Sequence, residues 1–304
     1  MKQFWLFTTF CILFANCTPP HPQIGSRPKP SFKKITGIDY IEVKRQFETG
    51  LSFNDQGYQL HPSWRLHLIK EDSVRLYNPQ ENRYYNFHVH FDHDSVINMA
   101  RVWLKVKHVS KDSLNLQVLR LDGKVINNER SAVFMTFYAE KYIEDVLKTS
   151  AEDLKHANFE DTLFIKLKVI ESKNNNEKAF AATSPVLFKS KSKLLKVVHR
   201  TGEADDFNYI TESDDYLLPE FEIEISKAYA DFNYSFSLVV DQKGKLHFRK
   251  SLVYLMPEFE EKKIAVMKGI VNVYLQNLME ITPGNTLGLP HASIVEVSVK
   301  GRKE

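Results

Sequence analysis

Short runs in which apolar and polar residues alternate fill the chain between about Ile38 and Phe137: Trp64 to Ile69, Val74 to Tyr77, Tyr85 to Phe91, Ala100 to Val109, Leu114 to Leu121 and Ala132 to Phe137. Period two is the period of a half-buried strand. In RVWLKVKHV (101–109), Val102, Leu104 and Val106 fall on one side, with Arg101, Lys105 and Lys107 on the other. Between runs recur KEDSV (70–74), DHDSV (92–96) and SKDSL (110–114). Their Asp-Ser pairs can bond nearby backbone amides in place of a ladder partner, which favours turns. The pattern predicts an antiparallel meander, and both a barrel and a sandwich satisfy it.

Downstream the period changes. AEKYIEDVLKTSAEDLKHA (139–157) has Tyr142, Ile143, Val146 and Leu147 at helical spacing, and TLFIKLKVI (162–170) with AFAATSPVLF (179–188) reads as a hairpin. KSKSKLLKVVHR (189–200) is basic and TGEADDFNYITESDD (201–215) acidic, a swing that marks a solvated boundary. Beyond it, FNYSFSLVVDQKGKLHF (232–248) predicts a hairpin turning at Gly244. Residues 261–278 carry Ile264, Met267, Ile270, Val271, Tyr274, Leu275 and Leu278 as one helical stripe, and Ile294 to Val299 is a closing strand. The fold class is therefore α+β: an antiparallel β-rich domain with one helix over 35–200, an acidic linker over 201–215, and a small α+β body over 216–304.

The first residues change the picture of where such a chain works. MKQFWLFTTFCILFANC has Lys2 and then a mostly apolar run from Phe4 to Ala15, too short to span a bilayer and shaped like a secretory signal. Phe14-Ala15-Asn16-Cys17 resembles a bacterial lipobox, with Phe14 where leucine is usual and Asn16 where a small residue is usual. That resemblance implies a signal peptide over 1–16 and diacylation of Cys17, followed by a Pro-rich tether over 17–34. Both cysteines fall inside this segment, so a mature protein has no disulfide, Cys-ligated zinc or thiol nucleophile. The net charge of +3 gives no support for nucleic-acid binding. GxGxxG, GxxxxGK[ST] and GxSxG do not occur, which argues against nucleotide-fold and serine-hydrolase chemistry.

One run could hold metal. His88, His90, Asp92 and His93 form the HxHxDH spacing, which resembles the metal motif of metallo-β-lactamase-like hydrolases. Glycine is missing after the DH pair, and His156 and His199 sit in no recognisable ligand context. Phe87, Val89 and Phe91 are expected to face the core, leaving the histidines on a solvated face. No cofactor is expected and no enzymatic activity is assigned; a metal-dependent hydrolase is the reading that this run alone would support. Lys189, Lys191 and Lys193 could touch a membrane or peptidoglycan surface, or simply form a solvated strand face.

Val239, Val240, Asp241, Gly244, Pro257, Glu258, Pro283, Gly284, Gly288 and Pro290 follow the order strand, V-D-x-x-G turn, strand, helix, PGxxxGxP, strand. In this respect residues 216–304 resemble the TonB C-terminal domain, although Ile281 replaces the usual aromatic before the PG turn. The resemblance implies capture of an extended peptide at a sheet edge. The edge expected is Ile294, Val295, Glu296, Val297, Ser298 and Val299, because only five residues follow it. A lipid stands where that family has a membrane helix, so recognition or scaffolding is implied rather than energy transduction. The expected setting is an outer-membrane lipoprotein facing the periplasm, partnered by the membrane and by periplasmic segments of outer-membrane proteins. A lipocalin-like carrier of a hydrophobic ligand is the alternative. Replacing Cys17 with Ser should move the protein from the membrane fraction to the soluble periplasm; unchanged partition on fractionation would refute lipidation.

Overall fold

In a computed structural model, which describes residues 29–79, 81–127, 131–200 and 212–303, the alternating runs form nine antiparallel strands. They are β1 (Asp39–Phe47), β2 (Arg65–Lys70), β3 (Ser73–Asn78), β4 (Arg83–Phe91), β5 (Val96–Met99), β6 (Val102–Val109), β7 (Ser113–Asp122), β8 (Val125–Asn127) and β9 (Val133–Ala139). Strands β1 to β7 pair in sequence order. β7 then pairs with β9, and β9 with β1, so eight strands close into a barrel and β8 hangs from the end of β7. Closure leaves no free edge in the ring. The signal, the lipobox and Cys17 lie outside the described residues.

Alternation puts Leu68, Val74, Val89, Leu104, Leu116 and Phe137 in one interior cluster. A 3₁₀ turn at Lys33–Ile35 closes one end: Phe32 and Ile35 are each 1% exposed, and Phe32 meets Phe91 edge-on with ring centroids 5.4 Å apart. Burying two such side chains contributes roughly 1.5–3 kcal/mol each. β1 is covered on both faces, because Ile41 and Val43 point outward against Ile143, Ala151 and Leu154. The helix expected over 139–157 therefore arrives in two pieces that fit the barrel wall. A π-helical turn at Tyr142–Leu147 ends at Lys148 with φ of 54°, and α1 (Ala151–Lys155) restarts under the Ser150 cap.

The hairpin expected from TLFIKLKVI is not formed. Those residues lie in α2 (Phe159–Asn174), whose Asn158 and Asp161 make a reciprocal capping box. A helix divides the alternating apolar residues between two faces: Ile165 is buried, while Leu163 and Leu167 are exposed. The first half of AFAATSPVLF is likewise outside any strand; Phe180, Ala181 and Ala182 are buried as a loop.

The second body begins earlier than the charge swing suggests. β10 (Leu187–Ser190) pairs with β15 (Met279–Thr282), and β11 (Leu195–Arg200) pairs with β12 (Glu220–Ile225). Val186 and Leu195 also belong to the second core, so residues 187–200 build this body instead of ending the first. Between them lie α3 (Glu212–Leu217), β13 (Phe232–Val240), β14 (Leu246–Ser251) and α4 (Pro257–Ile270). The last helix runs on through a π-helical turn at Val271–Leu275 to α5 (Gln276–Leu278). A two-residue ladder, β16 (Asn285–Thr286) with β17 (Leu289–Pro290), precedes β18 (Ser293–Gly301). The helical stripe behaves as its spacing predicts: Met267, Ile270, Val271 and Leu275 share a core with Ile223, Phe236, Leu238 and Val297. The β13–β14 turn also stands as expected, with Gly244 at φ of 77°.

The sheet order is β11-β12-β18-β13-β14, which overturns the expected edge. Ile294 to Val299 lies at the centre, parallel to β12 and antiparallel to β13. Position near the end of the chain is no guide to position in a sheet; Val295, Val297 and Val299 are at most 2% exposed, packed in one core with Met267, Val271 and Leu275.

The two bodies meet across loops. Ala181 N–H donates to Gln56 O at 2.9 Å, and at Gly57 (φ of 89°) an added Cβ would lie 2.3 Å from Ala181 O. Phe180 stacks on His291 with centroids 3.7 Å apart. His291 Nδ1 lies 3.0 Å from Ala292 O and Nε2 2.9 Å from Thr286 Oγ1, so a neutral ring donating through Nδ1 and accepting at Nε2 satisfies every group. Burial pushes its pKa down from 6.5 to about 4, against the pull of the Ala292 carbonyl. Unfolded chains take up this proton first as pH falls, so the contribution is complete above pH 6.5 and is lost progressively toward pH 4. The full swing is about 3 kcal/mol. Unfolding measured from pH 7 to 4 should show His291→Gln flattening the decline between pH 6.5 and 5; parallel curves for variant and wild type would contradict the buried neutral imidazole.

Candidate functional site

Glu42 and Arg45 are three apart, and in a regular strand they would face opposite ways. The β1–β9 register shifts between Glu42 and Lys44, a bulge that adds one residue to β1 and returns Arg45 to the side of Glu42. Their ladder partners, Phe137 and Met135, both belong to the barrel interior. Glu42 is 0% exposed. Arg45 donates through Nε and Nη2 at 2.7 Å to its two oxygens, and the amides of Ser63 and Trp64 donate to Oε2 at 2.9 and 3.0 Å. Four donors compensate a carboxylate removed from water.

That carboxylate fixes the backbone just before β2 and so holds Trp64 at the end of the barrel opposite Phe32. There an apolar recess of about 270 Å³ is lined chiefly by Trp64, Leu76, Tyr77, Tyr85, Phe87 and Ala100, together with Ser63, Asn78 and Pro79. Strand register brings these residues together: Leu76 faces Tyr85, and Val74 faces Phe87 one layer deeper. Two turns border the recess. In the first, Tyr77 hydroxyl donates to Asn82 Oδ1 at 2.6 Å, and Tyr85 hydroxyl donates to Glu81, a bond that raises the phenol's pKa above its ordinary value. Arg83 lies 4.4 Å over the Tyr85 ring and 3.2 Å from Glu81. In the second, Ala100 and Arg101 both have positive φ, 50° and 66°, where Asn-Gly would be relaxed. The alternation places these two residues at the start of β6; the structure makes them the turn, and no glycine or asparagine signalled it. Ring faces, a hydroxyl and an amide can bind and orient a ligand.

The residues singled out by motif lie elsewhere. His88 and His90 project from the outer face of β4, exposed, while Phe87, Val89 and Phe91 point inward. His93 Nδ1 turns onto Asp92 Oδ2 at 2.9 Å. Among the described residues no group of three His, Cys, Asp or Glu is arranged to hold a metal ion. Lys189, Lys191 and Lys193 are exposed around β10 and the turn into β11. Ile294, Val295, Glu296, Val297, Ser298 and Val299 all pair with β13, and Glu296 to Val299 pair with β12 as well, so the strand is interior to the sheet. Glu42 left one legible trace, a charge between Ile41 and Val43 in an otherwise apolar run. The mouth residues left none, since each reads as an ordinary strand position.

The chain matches no protein-family model, and no curated protein sequence matches it.

Replacing Glu42 with Ala strands a guanidinium and two amides and should lower stability in denaturant titration by about 3–5 kcal/mol. Adding Arg45→Met should recover part of that loss. An unchanged midpoint for the single variant would show that the rim is held by something else.

Proposed function

We propose that this protein is a non-catalytic, lipid-anchored binding protein of the bacterial envelope whose barrel accepts a small apolar ligand at its open end. The observation that carries the reading is the recess of about 270 Å³ under Trp64, with one end of the barrel plugged by Phe32 and the other left apolar and accessible. Ligand pockets combine mostly apolar walls with a few polar groups, and this one has that composition. The lipobox-like segment ending at Cys17 and the Pro-rich tether support a body held near a membrane, most simply the outer membrane on its periplasmic side. No helix among the described residues is long and apolar enough to cross a membrane.

A second reading rests on a different observation. Among the described residues the outer edge of β11 borders no other strand in its sheet, so an extended peptide could add there. The hairpin β13–β14, the helix and β18 beside β13 follow the order that the TonB-like resemblance implies. Periplasmic segments of outer-membrane proteins would be the partners in that case.

Protein purified from its native membrane should release close to one equivalent of a small apolar compound on organic-solvent extraction, detected by mass spectrometry. Leu76→Trp, which fills the recess, should release none. Equal release from the two proteins, or none from the wild type, would count against the barrel as the binding element and favour the peptide reading.

A further inference from the structure

We propose that the barrel mouth selects ligands that carry a carboxylate on a flat apolar body, and that Arg101 and Arg83 read the charge; this rests on the barrel-mouth reading above. The volume sets the body. A dry cavity of about 150 Å³ takes a benzene ring, so the recess of about 270 Å³ has room for two fused rings. Trp64, Tyr77, Tyr85 and Phe87 supply ring faces and edges, which favour an aromatic body packed offset or edge-on.

Charge sets the other end. The two turns that border the recess, 79–83 and 99–101, carry two guanidinium groups against one carboxylate, Glu81. Arg83 is anchored where it can act, 4.4 Å over the ring of a lining residue, and it shares Glu81 with the Tyr85 hydroxyl. Arg101 follows Ala100, a lining residue, in the same two-residue turn, is exposed, and makes no ion pair among the described residues. A ligand seated with its rings inward brings its polar end to these turns, where a carboxylate gains a charge-assisted partner that a neutral group does not.

Calorimetric titration of the full chain with naphthalene-2-carboxylate and with naphthalene-2-methanol tests this, since the probes share the rings and differ in charge. At low ionic strength the carboxylate should bind at least tenfold more tightly, and the difference should shrink with added salt. Arg101→Asn combined with Arg83→Gln should abolish the difference by weakening the carboxylate far more than the alcohol; asparagine tolerates left-handed backbone, so the turn is retained. Equal affinities in the wild type, or a preference that survives both substitutions, would overturn the charge selection and leave the recess as a site for neutral ligands. Binding of neither probe, with wild type and Leu76→Trp behaving alike, would remove the barrel-mouth reading and this inference with it.

Discussion

A carboxylate taken wholly out of water governs the open end of the barrel. Glu42 can be buried only because four donors converge on it: two from the Arg45 guanidinium and one each from the amides of Ser63 and Trp64. Convergence in turn requires the bulge in β1, since a regular strand would send Arg45 to the outside. One inserted residue thus decides the side of a charge, the charge decides where the chain enters β2, and that entry decides where the Trp64 ring lies.

The opposite end obeys a simpler rule. Phe32 and Ile35 are apolar side chains on a single 3₁₀ turn, and they stop the barrel by filling it. Non-directional burial suits a plug, whereas an opening that must stay open while its walls hold still needs directional bonds. The molecule uses burial at one end and a bonded charge at the other, and the recess exists because of that asymmetry.

Coupling between the barrel and the second body runs through buried side chains at the loops between them. Asp161 completes the Asn158 capping box of α2 by accepting the Asn158 amide and also accepts the Ser52 amide at 2.7 Å, so the helix start and the long loop after β1 are positioned by one side chain. Phe53, Ile165 and Phe180 close over that contact, and Phe180 stacks on His291 from the second body. A buried ring that must remain neutral ties the junction to pH, which charged pairs at the surface would not do to the same extent.

The sequence by itself determined which faces are apolar. It identified the alternating strands, the inward Phe87, Val89 and Phe91 with His88 and His90 outward, the stripe from Met267 to Leu275 and the turn at Gly244, because each of these is a local period or a local backbone need. Tertiary structure decided what those faces meet. Closure of the barrel through β9 and β1, the central position of β18, the return of residues 187–200 to the second body and the helical form of TLFIKLKVI all depend on partners distant in the chain. Alternation fixes a side, yet it does not name the neighbour across the ladder. The mouth is the clearest case: Glu42, Trp64, Tyr85 and Ala100 come from four separate strands or turns, and only the register that joins those strands makes them one site.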